Sequence, residues 1–282
     1  MLVVKNKNSL IKIISSWLGS RLSIGFVPTM GALHEGHLSL IKKARQENDK
    51  VICSIFINPT QFNDKKDLIN YPKKTSYDIE LLKRNNCDLV FIPSTKEMYP
   101  SKINGKTYDK DIGEIIKKME GKTRPGHFNG VCTIVEKLFL LVKPTNAYFG
   151  QKDYQQLAVI KKLNQSKNLG VNIISCPTIR EKNGLAMSSR NILLSQEERK
   201  ISAEIYKTLL LAKKIYKKVS VDELKNELSK KINSVDGLKL EYIEVVDMIT
   251  LNDIIDHKNE SAIVCIAVFL GNVRLIDNMI LN

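Results

Sequence analysis

The 282-residue sequence predicts an α/β fold, a doubly wound parallel sheet followed by a smaller α+β domain. Three observations carry that prediction. Through the first two thirds of the chain, short apolar runs alternate with stretches of helical periodicity, as buried parallel strands alternate with crossover helices. Polar, glycine-bearing clusters follow several of those runs, where a doubly wound sheet gathers its ligands. Near Thr178 the pattern changes to helices followed by strand-like runs, which suits a small α+β unit.

The elements follow in order. Residues 9–18 predict an opening helix, with Trp17 packing it down. Residues 24–27 form an apolar strand broken at Pro28, and a helix is expected over 37–48. Residues 51–57 are a near-continuous apolar strand. A helix over 75–85 presents Ile79, Leu81 and Leu82, and 89–92 is the next strand. Then come a helix at 131–142, a short strand at 147–149, a helix at 154–165 and a strand at 171–176. Right-handed βαβ crossovers make this a Rossmann-like domain over residues 1–178. The smaller domain, 179–282, starts with one long helix over 197–217 and a second over 221–233. Strands at 238–247 and 262–270 follow, and a last strand at 273–277 is turned back by a tight hairpin at Gly271-Asn272.

Composition bounds the function classes. Hydrophobic content of 43% and charged content of 26% are those of a soluble globular protein. The apolar runs, such as 138–142 and 262–270, fall short of the ~18 residues a membrane span needs, and the N-terminus has no apolar leader core. The five cysteines are far apart, odd in number and without a CxxC pair, which excludes a disulfide framework and a zinc site. Buried reduced thiols in a cytoplasmic protein, with no protein-held metal site, are expected. The net charge of +14 raises a nucleic-acid partner, but the lysines are scattered over helix surfaces, so no nucleic acid is expected. A basic field also recruits anionic small molecules.

The chemistry-bearing clusters sit where strands end. The first reads Met30-Gly31-Ala32-Leu33-His34-Glu35-Gly36-His37. A helix start presents unpaired N–H groups and a partial positive charge, and two imidazoles add directional donors, so phosphate is the expected ligand. The bland reading is a turn with two surface histidines. After the second strand, Asn58 and Gln61 offer neutral donors and acceptors and Phe62 an apolar wall, or else an Asn-Pro turn exposes two amides. At Gly150-Gln151-Lys152-Asp153 a glycine permits close backbone approach and a lysine precedes a helix, with Gln156 one turn on. Asp153 caps the helix, orients Lys152 or holds a ribose hydroxyl. From Arg180 to Asn191, glycine and serines suggest a mobile loop whose hydroxyls and guanidinium close on a polyphosphate, against the alternative of a polar linker. The stretch from Gly121 through Arg124, Gly126 and His127 to Gly130 reads as an irregular loop, a lid or a long connection. His257 reads as an ordinary surface residue.

Taken together, these stretches resemble the pantoate–β-alanine ligases over essentially the full length. The stretches are Val-Pro-Thr-Met-Gly-Ala-Leu-His-Glu-Gly-His, Phe-Ile-Asn-Pro-Thr-Gln-Phe, Arg-Pro-Gly-His-Phe-Asn-Gly-Val, Tyr-Phe-Gly-Gln-Lys-Asp-Tyr-Gln-Gln-Leu and Met-Ser-Ser-Arg-Asn. That family belongs to the nucleotidyltransferase superfamily that includes class I aminoacyl-tRNA synthetases. The resemblance implies an AMP-forming ligase that condenses pantoate with β-alanine through a pantoyl adenylate. It implies that residues 30–37 hold ATP, with His34 and His37 on the phosphates and His37 the proton donor. It implies that Lys152, Ser188, Ser189 and Arg190 bind the phosphates, and that Gly150, Gln151, Asp153, Ile179 and Met187 line the nucleotide site. Gln61 and Gln156, with Asn58 and Phe62, are implied to hold pantoate, Gln61 also lying near β-alanine. Magnesium is expected with ATP, held by phosphates and water. The smaller domain is expected to close the site, and homodimerisation through the first domain is expected. One position departs from the pattern: the family usually has glutamate where this chain has Gln151.

Two other readings remain at this point. A related enzyme that moves AMP onto a phosphorylated substrate would want cationic groups where Gln61 and Gln156 stand. An RNA-binding protein is motivated by charge alone and lacks a dense basic and aromatic patch.

Overall fold

A computed structural model describes residues 1–101, 107–254 and 261–281. The chain divides into two compact units, one of Met1–Gln151 with Gln156–Pro177, the other of Lys152–Gln155 with Thr178–Asn282.

The first unit is built on six strands, β1 (Leu2–Val4), β2 (Ile24–Thr29), β3 (Lys50–Ile55), β4 (Leu89–Phe91), β5 (Asn146–Gly150) and β6 (Asn172–Cys176). Their order is β1-β4-β3-β2-β5-β6, and every pairing is parallel. From β2 the chain winds outward through β3 to β4, and from β5 it winds the other way to β6. The order therefore reverses between β2 and β5, and ligands of such sheets bind beyond the strand ends at that switch point. Both faces of the sheet are covered. Val27, Val51 and Val90 pack with Ile41 of the helix Glu35–Glu47 and Leu82 of the helix Thr75–Arg84. On β2 the neighbouring residue points the other way, so Phe26 meets Phe139 of the helix His127–Val142 edge to face at 6.4 Å.

The second unit holds an antiparallel sheet of β7 (Leu238–Asp247), β8 (Ala262–Leu270) and β9 (Val273–Ile280). Its core joins Ile266 and Val268 of that sheet to Leu209, Leu224, Leu228 and Ile232. Leu224, Leu228 and Ile232 recur at helical spacing along Val221–Asn233, whose start carries a Ser220–Glu223 capping box.

The predicted fold class and most element positions hold, and the departures have local causes. Strand β2 runs through Pro28 rather than breaking there. The Thr29 carbonyl accepts from Phe56 beside β3 and the Ile24 carbonyl from Thr145 beside β5. By alternation Pro28 faces β5, where the ladder has already ended at Phe26↔Ala147, so its missing N–H costs no bond. The expected helix over 197–217 is two helices, Gln196–Ile201 and Ala203–Ile215. At the junction the buried Ser202 hydroxyl donates to the Arg199 carbonyl at 2.8 Å, a local bond that competes with the helix ladder. Strand β9 continues three residues past the expected end, carrying the buried polar pair Asp277 and Asn278 inside it. Strand β1 and the short helical turns Lys65–Asn70, Thr95–Met98, Asp109–Ile112 and Met119–Thr123 were not expected. All five cysteines are buried thiols. Among the described residues no helix is long and apolar enough to cross a membrane. His257 lies outside the described residues.

Candidate active site

In the first unit the loop from β2 into the helix Glu35–Glu47 is held by backbone contacts. Gly31 has φ +83°, and Ala32 follows at φ +50°, a conformation most side chains avoid. The Gly31 N–H donates to Thr29 Oγ1 at 3.2 Å. The next two N–H groups, of Ala32 and Leu33, each donate at 2.8 Å to the carboxylate of Asp78. Asp78 is 1% exposed, and burial raises its carboxyl above the usual range, partly opposed by those two N–H donors. Sequence reasoning missed Asp78, which lies inside an ordinary amphipathic helix 46 residues from Ala32.

The loop delivers His34 and His37 to the helix start. His34 is the N-cap, its Nδ1 accepting from the Gly36 N–H at 3.1 Å. His37 Nδ1 accepts from the His34 N–H at 3.3 Å, which closes a capping box made of two imidazoles. The rings lie 4.1 Å apart between centroids. An Nδ1 that accepts leaves the ring proton to Nε2. Both imidazoles thus sit at the carboxyl end of β2 beside the switch point, with Nδ1 turned onto the backbone of the helix start.

The Asn58–Phe62 segment follows β3. Asn58 and Gln61 are 1% and 8% exposed, so the reading of two exposed amides does not hold. Asn58 Oδ1 accepts from the Tyr99 hydroxyl at 2.8 Å and the Thr60 hydroxyl at 2.9 Å. Its Nδ2 donates to the Gly130 carbonyl at 3.0 Å and to Gln61 Oε1 at 3.2 Å. That leaves the Gln61 amide to act as a donor, and Nε2 points at the Met30 sulfur. Two of the loops predicted to carry the site therefore meet at Met30 and Gln61. Phe62 stacks edge to face on Tyr71 at 5.7 Å.

The 121–130 stretch is a packed support rather than an irregular loop. Its helix begins at His127, four residues ahead of the expected start. His127 Nδ1 lies 2.7 Å from the Gln61 carbonyl, and an Arg124 N–H donates to the same oxygen at 3.3 Å. At Gly130 an added Cβ would stand 2.3 Å from the Thr60 carbonyl oxygen, so only glycine admits that approach. Gly150 ends β5 on the other side of the switch point, Gln151 opens the 3-10 turn Gln151–Asp153, and Gln156 lies in the helix Tyr154–Ser166.

The remaining candidates belong to the second unit. Lys152 Nζ is 3.8 Å from Asp153 Oδ1. Ile179 accepts from the Met187 N–H at 2.9 Å, and Arg180 bridges to Ala186, so residues 179–187 fold into a narrow hairpin. Ser188 caps the 3-10 turn Ser189–Leu193, its hydroxyl accepting from the Arg190 N–H at 3.2 Å. Asn191 pins the turn from beneath, donating to Glu181 at 2.7 Å and to the Ala186 carbonyl at 3.1 Å. The Arg180 guanidinium is committed to Asp277.

A parallel sheet with a two-histidine helix start at its switch point defines a Rossmann-like protein suited to a nucleotide phosphate. The family model described as pantoate-beta-alanine ligase matches residues 2–280, and the chain belongs to that family. It is an enzyme of the ligase class, in the pantothenate branch of biosynthesis. The pantothenate synthetase of Fervidobacterium nodosum is 46% identical over 284 residues, covering 100% of both chains. That of Thermosipho africanus is 47% identical over 283 residues, again covering 100% of both. A crystal structure of pantothenate synthetase from Thermus thermophilus superposes with a TM-score of 0.92 at 38% identity, covering 100% of this chain and 99% of that one. A pantoate-beta-alanine ligase from Francisella tularensis, solved with beta-gamma ATP and beta-alanine, gives 0.78 at 40% identity, over 99% and 97%.

Proposed function

We propose that this chain condenses pantoate with β-alanine, converting ATP to AMP and diphosphate, in two steps at the residues described above. In the first, a pantoate carboxylate oxygen attacks the α-phosphorus of ATP, the bond to the β-phosphate bridging oxygen breaks, and diphosphate leaves. In the second, the β-alanine amine attacks the carbonyl of the pantoyl adenylate and AMP leaves on its phosphate oxygen. Neither step needs a covalent enzyme intermediate, so positioning and charge stabilisation carry the rate.

The observation that carries this reading is the pair of imidazoles at the helix start, each with Nδ1 engaged by a backbone N–H. Their Nε2–H groups donate to phosphate oxygens as negative charge moves onto the leaving diphosphate, His37 acting as the principal donor. Residues 30–33 lie against the nucleotide through their backbone. Lys152, Ser188, Ser189 and Arg190 bind phosphates, with Met187 beside them, while Gly150, Gln151, Asp153 and Ile179 line the nucleotide. Gln61, presented as a donor by Asn58, holds a pantoate oxygen, with Gln156 as a second amide and Phe62 as an apolar wall. Among the described residues no group of three or more His, Cys, Asp or Glu is placed to hold a metal ion. Magnesium is proposed to arrive with ATP, held by phosphate oxygens and water. A cytoplasmic location and a homodimer formed through the first unit are proposed from the family; sedimentation velocity at micromolar protein tests the dimer.

The deciding experiment mixes protein, ATP, magnesium and pantoate and follows diphosphate release with and without β-alanine. Pantoate-dependent release that multiplies on adding β-alanine is expected. Release that ignores pantoate overturns the reading.

A further inference from the structure

Within the second unit, Lys152 and the Ser188–Arg190 turn are far apart in sequence but share one buried brace. The Asn278 side-chain N–H donates to the Lys152 carbonyl at 2.8 Å. The neighbouring residue, Asp277, is 4% exposed and receives the Arg180 guanidinium through both oxygens, at 2.5 and 3.0 Å. The Asp277 Oδ1 also accepts from the Asn278 N–H at 2.8 Å, which fixes the angle between the two side chains. Arg180 is held on its other sides. Its guanidinium lies 4.1 Å from the centroid of the Tyr206 ring and donates to the Gly184 carbonyl at 3.0 Å. From Arg180 the backbone pairs with Ala186, the residue that leads through Met187 into the Ser188-capped turn. A continuous path therefore runs from the Lys152 carbonyl through Asn278, Asp277, Arg180 and Ala186 to the serines. Each link is a backbone pairing, a charge-assisted fork or a hydrogen bond with a defined donor.

A buried bidentate ion pair is a poor source of stability and a good source of geometry, because its planar fork admits one arrangement. Nothing in the mechanism above uses Asp277 or Asn278, and strand β9 would be simpler with two apolar residues there. We propose that Asn278, Asp277 and Arg180 are positioning residues that lock Lys152 to the Ser188–Arg190 turn, so that lysine, hydroxyls and guanidinium meet the polyphosphate as one preset anion-binding unit. The proposal rests on the reading that Lys152 binds ATP phosphates.

The test is a double-mutant cycle on the full chain, reading steady-state diphosphate release with each substrate varied in turn. Lys152→Ala alone tests the underlying reading and is expected to lower kcat/KM for ATP by roughly 10²–10³. Asn278→Ala is expected to lower kcat/KM for ATP by roughly 10- to 100-fold through misplacement of that lysine, with KM for β-alanine changing less than about 2-fold. In the double variant the Asn278 effect disappears into that of Lys152. Effects that multiply, or a loss spread equally over ATP, pantoate and β-alanine, overturn the brace. A harmless Lys152→Ala instead removes the reading on which it stands. Thermal melts run alongside, and if Asn278→Ala does not fold, Arg180→Lys enters the same cycle, keeping the charge while losing the fork.

Discussion

At the scale of single residues, the candidate site divides into side chains that announce their chemistry and side chains that hold them. His34, His37, Gln61, Lys152 and Ser188 were legible because strand ends, helix starts and glycine-bearing turns place reactive groups next to each other in sequence. Asp78 was not, because its role consists of two backbone N–H groups 45 and 46 residues away. His37→Ala is expected to lower turnover by roughly 10²–10³ with the fold intact, the loss typical of one transition-state donor; a near-normal rate in a folded variant would remove His37 from the mechanism. Gln151→Glu is expected to leave activity within about 2-fold, since in the function proposed above the backbone at the β5 end lies against the nucleotide; a large change in kcat would show a working side chain. For Asp78 the pH sign follows from its raised carboxyl pKa. Folding favours the protonated form, so burying the charge costs stability as pH rises through the folded value. The loop contacts favour the opposite form, since a carboxylate is the stronger acceptor for the Ala32 and Leu33 N–H groups. Activity with ATP should therefore fall on acidification at a higher pH than an ordinary aspartate would impose. Asp78→Asn should lack that limb while losing activity at neutral pH, because one backbone N–H then faces an amide donor at a cost of about 1–3 kcal/mol. An unchanged acid limb in that variant would assign the titration elsewhere.

At the scale of elements, sequence pattern located strands and helices well and failed where tertiary contact overrides a local rule. The helix at His127 starts ahead of Gly130, a residue that penalises helices and so deferred the expected start to Val131. Its reason is across the interface with another segment, where the Thr60 carbonyl needs the space of a missing Cβ. The long helix after Ser195 breaks at Ser202 through a side-chain bond that periodicity cannot register. Strand β9 looked shorter than it is because Asp277 and Asn278 interrupt its apolar pattern; Arg180, 97 residues away, makes Asp277 tolerable, and the Lys152 carbonyl, 126 residues away, takes the Asn278 amide. Gly130→Ala tests the first of these. An added Cβ at 2.3 Å from a backbone oxygen forces the helix off the Asn58–Gln61 turn, at about 1–3 kcal/mol of overpacking. Because the same turn carries Gln61, KM for pantoate should rise several-fold while KM for ATP stays close to the parent's. A variant with unchanged melting temperature and unchanged KM for pantoate would show that the contact is slack.

At the scale of the whole molecule, the two units carry separate cores, Val27, Val51 and Val90 in one and Leu224, Leu228 and Val268 in the other. The cysteines sample both, since Cys53, Cys87, Cys132 and Cys176 fall in the first unit and Cys265 in the second. Burial pushes Cys87 and Cys132 up to about 12 and Cys176 to about 11, and holds Cys53 well above its ordinary value. At neutral pH the nucleophilic thiolate of these four is scarce, and all five thiols are buried, so none of the five should react with a water-soluble alkylating reagent in the native protein. In rising denaturant, a sheet core opens cooperatively, and Cys53, Cys87 and Cys132 should become reactive at one common denaturant concentration. Cys265 reports on the antiparallel sheet independently, so its midpoint measures the stability of the second unit by itself. Peptide mapping after pulsed alkylation gives the five curves separately. Fast native labelling of any one thiol would contradict the burial that defines these cores, and a different midpoint for Cys53 than for Cys87 would divide the parallel sheet into parts that open on their own.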